Sequence, residues 1–219
     1  MTYKLEAALN LAGFLLQIKA IKLNSANPFT WASGMRSPIY CDNRITLSYH
    51  KIRTHIRQEF VSGIMEKYDK PDLIVGVATG GIAPGVLVAQ ELGVPFAYVR
   101  PEKKSHGLNN QVEGLVEAGQ SVVIIEDLVS TGGSSLRAVE AVREKGAVVK
   151  GMFAIFTYGL SIAKKNFENA NCELTTLTDF DTLLKKVSEE GFVQEEEMQS
   201  LIKWRLDPEA WSNNFKNKG

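Results

Sequence analysis

Three strand-length apolar runs constrain this chain more than any other feature: Asp72 to Ala78 (DLIVGVA), Ser121 to Ile125 (SVVII) and Ala147 to Phe156 (AVVKGMFAIF). A strand with one wet face alternates apolar and polar residues, so near-continuous apolar runs call for cover on both faces. The intervening segments supply that cover. A Gly-rich turn at Thr79, Gly80 and Gly81 leads into a predicted helix ending near Leu92, followed by a strand at Phe96 to Arg100. A second Gly-containing loop leads into a predicted helix over Ser134 to Lys145. Strands alternating with helices of this length predict an α/β fold, a mostly parallel twisted sheet flanked by helices. Ligands of such sheets bind beyond the carboxyl ends of the strands.

The flanks read differently. Apolar residues recur at helical spacing from Leu5 to Ile21, which predicts an amphipathic helix at the domain edge. Asn24 to Asn43 carries Pro28, Gly34 and Pro38 among hydroxyl and amide residues, a composition for turns with a short strand. Ser48 can cap a helix running to about Tyr68. Beyond Tyr158 the pattern predicts amphipathic helices over Asp179 to Val187 and Gln194 to Trp204, and no long apolar strand. The expected organisation is one domain over residues 1–219: a helix and hood over 1–47, a core over 48–158, and C-terminal helices over 159–219.

Charge and cysteine content narrow the function classes. Twenty-five basic and 25 acidic residues cancel, so no global field draws the protein to nucleic acid or anionic lipid, and an anionic ligand needs a local cradle. Cys41 and Cys172 show no CxxC or metal-ligand spacing, which predicts two free thiols in a reducing compartment. Lys4, Glu6, Asn10, Gln17, Lys19 and Lys22 break up any signal or membrane segment near the N-terminus, so a cytoplasmic protein is expected.

The chemistry concentrates between Val122 and Ser135 (VVIIEDLVSTGGSS), where an apolar strand ends in two acids and turns through a hydroxyl-and-glycine loop into a helix. Adjacent carboxylates at Glu126 and Asp127 are costly to bury unless hydroxyls or a cation answer them. Gly132 and Gly133 let backbone approach a ligand closely. The helix-opening N–H groups, with the hydroxyls of Ser130, Thr131, Ser134 and Ser135, form an anion cradle suited to a sugar phosphate. The Gly-Lys-Ser/Thr ending of a Walker A loop is missing.

This segment resembles the signature with which type I phosphoribosyltransferases bind 5-phosphoribosyl 1-pyrophosphate (PRPP). The resemblance implies that Glu126 and Asp127 meet the ribose hydroxyls, Asp127 with a catalytic part. It also implies that Leu128, Val129, Ser130, Thr131, Gly132, Gly133 and Ser134 take up the 5-phosphate region. Glu at position 126, where many members carry Asp, lengthens one reach. The Thr79 and Gly80 turn, weak evidence by itself, suits the pyrophosphate.

Two further stretches resemble the orotate phosphoribosyltransferases within that family: Phe29 to Arg44 (FTWASGMRSPIYCDNR) and Val99 to Gly107 (VRPEKKSHG). By composition alone the first could be a turn cluster with surface arginines, and the second a solvated charge run. By resemblance, the backbone around Tyr40 and Cys41, with Ser130, lines an orotate pocket, and Arg36 belongs to the basic Ser-Gly-x-Lys/Arg-Ser-Pro pattern. Lys104 and His106 match the family's catalytic loop, which closes over the polyanion and is shared across a homodimer interface, and Arg100 matches a pyrophosphate contact. Three positions depart from the family: Ala32 and Pro101 each replace a lysine of some members, and Phe156 to Leu160 (FTYGL) lacks an arginine that can hold the orotate carboxylate.

The resemblance covers about residues 24–158, and no barrel-sized stretch remains for an attached decarboxylase. It implies transfer of a phosphoribosyl group from PRPP to orotate. Magnesium would be held mainly by PRPP, with no direct protein ligand. The alternatives are a purine-salvage phosphoribosyltransferase with another base pocket, and a PRPP-sensing regulator that binds nucleic acid without turnover.

Overall fold

A computed structural model describes residues 4–31, 33–101 and 111–216 of the chain. Helix α1 (Leu5–Gln17) buries Ala8, Leu11, Ala12 and Leu15, the stripe that helical spacing dictates. It stops short of the predicted Ile21. Lys19 turns the backbone at a φ of 58°, and the chain enters strand β1 (Ile21–Leu23) instead. The apolar residues after Gln17 pack as a strand because a partner exists, β4 (Ile39–Cys41), which pairs antiparallel with Ile21 opposite Cys41.

Between them, β2 (Phe29–Thr30) and β3 (Arg36–Ser37) form a small hairpin. Gly34 turns it at a φ of 81°. The expected single short strand is therefore two two-stranded ribbons. Asp42 caps the 3-10 turn Asn43–Ser48 by accepting from the Arg44 N–H, and Tyr49 rather than Ser48 is the N-cap of α2 (His50–Tyr68). Ser48 is spent inside the preceding turn.

The main sheet comprises β5 (Leu73–Val77), β6 (Phe96–Val99), β7 (Val112–Glu113), β8 (Ser121–Val129), β9 (Val148–Thr157) and β10 (Leu174–Asp179), in the order β10-β9-β8-β5-β6-β7. All neighbours are parallel except the β6–β7 edge pair. Helices α3 (Ile82–Leu92), α4 (Gly133–Arg143), α5 (Ser161–Asn169), α6 (Phe180–Glu190), α7 (Glu195–Leu206) and α8 (Pro208–Lys216) complete the domain.

The near-continuous apolar runs are explained by two cores. Val123 and Ile125 of β8 join the cluster under α1, α2 and α3, while Val122 and Ile124 join the one under α4 and α5. Each such side chain contributes about 1.5–3 kcal/mol of transfer free energy as an upper figure.

Two expectations are corrected here. Strand β8 does not end at Ile125 but carries Glu126 and Asp127 within it and runs on to Val129, because β9 continues beside it to Thr157. A sixth strand also exists beyond Tyr158: β10 (LTTLTD) pairs parallel with β9. Its threonines diluted the apolar signal, although β-branched residues suit a buried strand.

Candidate functional site

The carboxyl ends of β5, β6 and β8 open on a cavity of about 380 Å³, lined by Cys41, Asp42, Arg44, Thr79, Gly80, Arg100, Gln111, Glu126, Asp127, Leu128 and Ser134 among others. Larger clefts lie beside Phe14 and His55 and beside Phe167 and Arg205. Chemistry rather than size selects the smaller cavity, since among the described residues paired acids, a small-residue loop and basic groups converge there.

Its floor is the turn after β5. Ala78 N–H donates to the Val99 carbonyl (2.8 Å) and Gly81 N–H to that of Val77 (2.8 Å), with a cis peptide between Ala78 and Thr79. Gly80 lies flush against Asp127, so that a β-carbon on it would fall inside the carboxylate. A side chain there would have to displace the Asp127 carboxylate.

The two acids behave differently. Glu126 is 5% exposed. Its Oε1 accepts from the Asp127 N–H (3.0 Å) and its Oε2 from the Ser135 hydroxyl (2.9 Å). Burial, then the neighbouring Asp127, pushes the Glu126 carboxyl well above its ordinary range. Asp127 is half-buried and faces the cavity. Ser135 is committed to Glu126 and buried, which removes it from the expected hydroxyl cradle.

The loop after β8 is held from behind. Thr157 Oγ1 donates to the Val129 carbonyl (3.0 Å) and Asn166 Nδ2 to that of Thr131 (2.9 Å). Gly132, at a φ of 83°, precedes α4, and its α-carbon packs against the Phe167 ring, leaving no room for a side chain. Ser130, Thr131, Gly133 and Ser134 stay accessible, whereas the Val129 side chain is in the core and contributes backbone only.

Cys41 and Tyr40 come from β4 of the hood. Cys41 lines the cavity with its thiol pushed up by burial and then by Asp127. Tyr40 is 37% exposed with its ring beside Phe29. Arg36 stays outside the cavity, its Nη1 donating to the Pro28 carbonyl (3.4 Å). Arg44, which sequence reasoning passed over, lines the cavity and makes a two-point pair with Asp42 (2.6 and 2.8 Å). That pairing lowers the Asp42 carboxyl and raises the guanidinium. Arg100 also reaches the cavity and pairs loosely with Glu113 (3.5 Å). Lys104 and His106, with the rest of their loop, lie outside the described residues.

Behind the hood stands an aromatic wall. Trp31 lies 5.0 Å from Tyr158 and 5.7 Å from Trp204, ring centre to centre. Helices α7 and α8 latch the hood: Glu197 accepts from Ser25 N–H (3.1 Å) and Ser212 Oγ from Arg36 N–H (2.9 Å).

A mostly parallel sheet with paired acids towards the end of one strand, a small-residue loop after it and a Gly-Gly turn beside it is the arrangement of a transferase of the phosphoribosyl class. The phosphoribosyl transferase domain family matches residues 47–168. The orotate phosphoribosyltransferase of Phocaeicola vulgatus is 52% identical over 197 residues, 90% of this chain and 93% of that protein. The chain belongs to the orotate phosphoribosyltransferase family.

Solved structures agree. The Aeropyrum pernix orotate phosphoribosyltransferase matches with a TM-score of 0.73 at 27% identity, over 84% of this chain and 99% of that one. Leishmania donovani UMP synthase shares the fold at a TM-score of 0.72 and 23% identity. The match covers 97% of this chain, which spans 42% of that longer one.

Proposed function

We propose that this cavity carries out the orotate phosphoribosyltransferase reaction. The ring nitrogen of orotate forms a bond to C1 of the ribose as the C1–O bond to pyrophosphate breaks, with inversion, giving orotidine 5'-phosphate and pyrophosphate. Positive charge develops on the sugar and negative charge on the leaving group, so positioning and electrostatics do most of the work.

The observation that carries this reading is the placement of Asp127. Its carboxylate faces the cavity between the Gly80 turn, suited to pyrophosphate, and the Ser130–Ser134 loop, suited to the 5-phosphate. Asp127 holds the ribose hydroxyls and answers the cationic sugar. Glu126, with both oxygens occupied within the chain, fixes the Asp127 backbone from behind. Tyr40, Cys41 and Ser130 border the base. Arg100 at this cavity, with Lys104 and His106, neutralises or protonates the departing pyrophosphate, the Arg100–Gly107 loop being shared across a homodimer interface.

Among the described residues no three His, Cys, Asp or Glu side chains cluster to hold a metal. The half-exposed carboxylate of Asp127 nonetheless suits a magnesium ion held mainly by substrate phosphates. When bound, that ion shares the neutralisation of pyrophosphate. No helix among the described residues is long and apolar enough to cross a membrane, and a cytoplasmic location fits this biosynthetic reaction.

Loss of orotate's ultraviolet absorbance on mixing protein, magnesium and PRPP tests the reading, with adenine, hypoxanthine, guanine and uracil as competing bases. Turnover of orotate alone is expected. Turnover of another base in its place would keep the sugar site and discard the base pocket.

A further inference from the structure

Strand β8 outruns one of its neighbours. Its pairing with β5 ends at Gly76 opposite Ile125, because β5 stops at Val77 and the chain turns away at Ala78, while pairing with β9 continues to Val129. Past Ile125 no residue of β5 lies beside β8, so Asp127 has no partner on that side. A buried backbone group without a ladder partner needs one from elsewhere. The Asp127 N–H finds Glu126 Oε1, and its carbonyl accepts from the side-chain amide of Asn43 at 2.6 Å.

Asn43 is 1% exposed and fully committed. Its Nδ2 goes to Asp127, its Oδ1 accepts from the Cys41 thiol (3.3 Å), and its own carbonyl accepts from Thr46 Oγ1 (2.6 Å). One amide thus joins the base-side strand β4 to the sugar-side acid.

We propose that Asn43 is a positioning residue of the transfer reaction, setting the Asp127 backbone so that the carboxylate meets the ribose while registering β4 against it. This rests on the reading of Asp127 as the sugar-holding acid. Asn43 replaces the missing β5 neighbour where ladder bonds would otherwise hold Asp127. A shift of the acid by a fraction of an ångström costs turnover, because orientation is the enzyme's main lever.

A double-mutant cycle on the full chain tests it. Asn43→Ala, Asp127→Asn and the pair are assayed for kcat and for KM of PRPP and orotate, with thermal melts alongside. Expected is a fall in kcat of about 10-fold or more for Asn43→Ala, shrinking to about 2-fold or less once Asp127 is already Asn. Asn43→Asp, which keeps the shape and the acceptor but loses the donor, should fall at least as far.

Independent, multiplying losses would overturn the inference while leaving Asp127's role intact, as would unchanged kcat per folded molecule in Asn43→Ala. If Asp127→Asn alone leaves turnover and PRPP affinity unchanged, the reading beneath it fails and Asn43 with it. If both Asn43 variants unfold below the assay temperature, the amide serves stability only and the proposal falls.

Discussion

Gly80 and Asp127 are in direct backbone-to-side-chain contact: the hydrogen on the Gly80 α-carbon occupies space that no side chain could share with the Asp127 carboxylate. The turn after β5 and the distal part of β8, remote in sequence, therefore set one another's position. Gly80→Ala must push the acid aside or deform the turn. We expect kcat/KM for PRPP to fall by about 100-fold, with a melting temperature shift of only a few degrees. Steady-state kinetics beside a thermal melt checks it, and a normal kcat/KM would show that the acid can move without consequence.

Glu126 makes stability depend on pH in a definite direction. Burial and Asp127 raise its proton affinity in the folded chain, so the folded state holds a proton that the unfolded chain releases above the ordinary carboxyl range. Stability contributed by that proton is present at low pH and lost as pH rises toward the raised value. Glu126→Gln keeps the neutral shape and should flatten this slope, melting at or above the parent near neutral pH. Thermal melts between about pH 5 and pH 8 decide it, and an unchanged slope would count against the assignment.

Trp204 is fully buried against Trp31, Tyr158 and Phe180, and its Nε1 has no hydrogen-bond partner among the described residues. Its work is volume. Trp204→Ala should cost about 3–5 kcal/mol and raise KM for orotate more than KM for PRPP, because Trp31 of the hood leans on it. Trp204→Phe, losing no polar bond, should cost less than half as much. Chemical denaturation with paired KM measurements separates the two.

If Lys104 acts on the departing pyrophosphate as proposed, Lys104→Ala should cut turnover far more than PRPP affinity. Isothermal PRPP binding beside kcat is the measurement, and equal losses in both would refute a transition-state role.

Much of this was written locally. The β5, β8 and β9 runs demanded cover on both faces, which led directly to the layered α/β fold. Glu126, Asp127 and the Ser130–Ser134 loop are contiguous, so they could be singled out together without a structure. The strand-breaking or helix-extending errors share one cause. Ile21 and the threonines of β10 take their state from a partner strand distant in sequence, and Ser48 lost its capping place to a 3-10 turn that Asp42 initiates.

The sequence by itself determined the sheet's character, the acid pair, the small-residue loop and the family, because each depends on residues close along the chain. Only the tertiary structure decided that Glu126 is buried with its oxygens bonded to the Asp127 N–H and the Ser135 hydroxyl, while Asp127 stays half-exposed at the cavity. It alone placed Gly80 against that acid, brought Arg44 to the site, and set Asn43 where β5 leaves off. It likewise revealed that the C-terminal helices brace the hood through Trp204, Glu197 and Ser212. Such pairings join residues tens to more than a hundred positions apart, and burial, space and unmet hydrogen bonds at those meeting points arise only once the chain has folded.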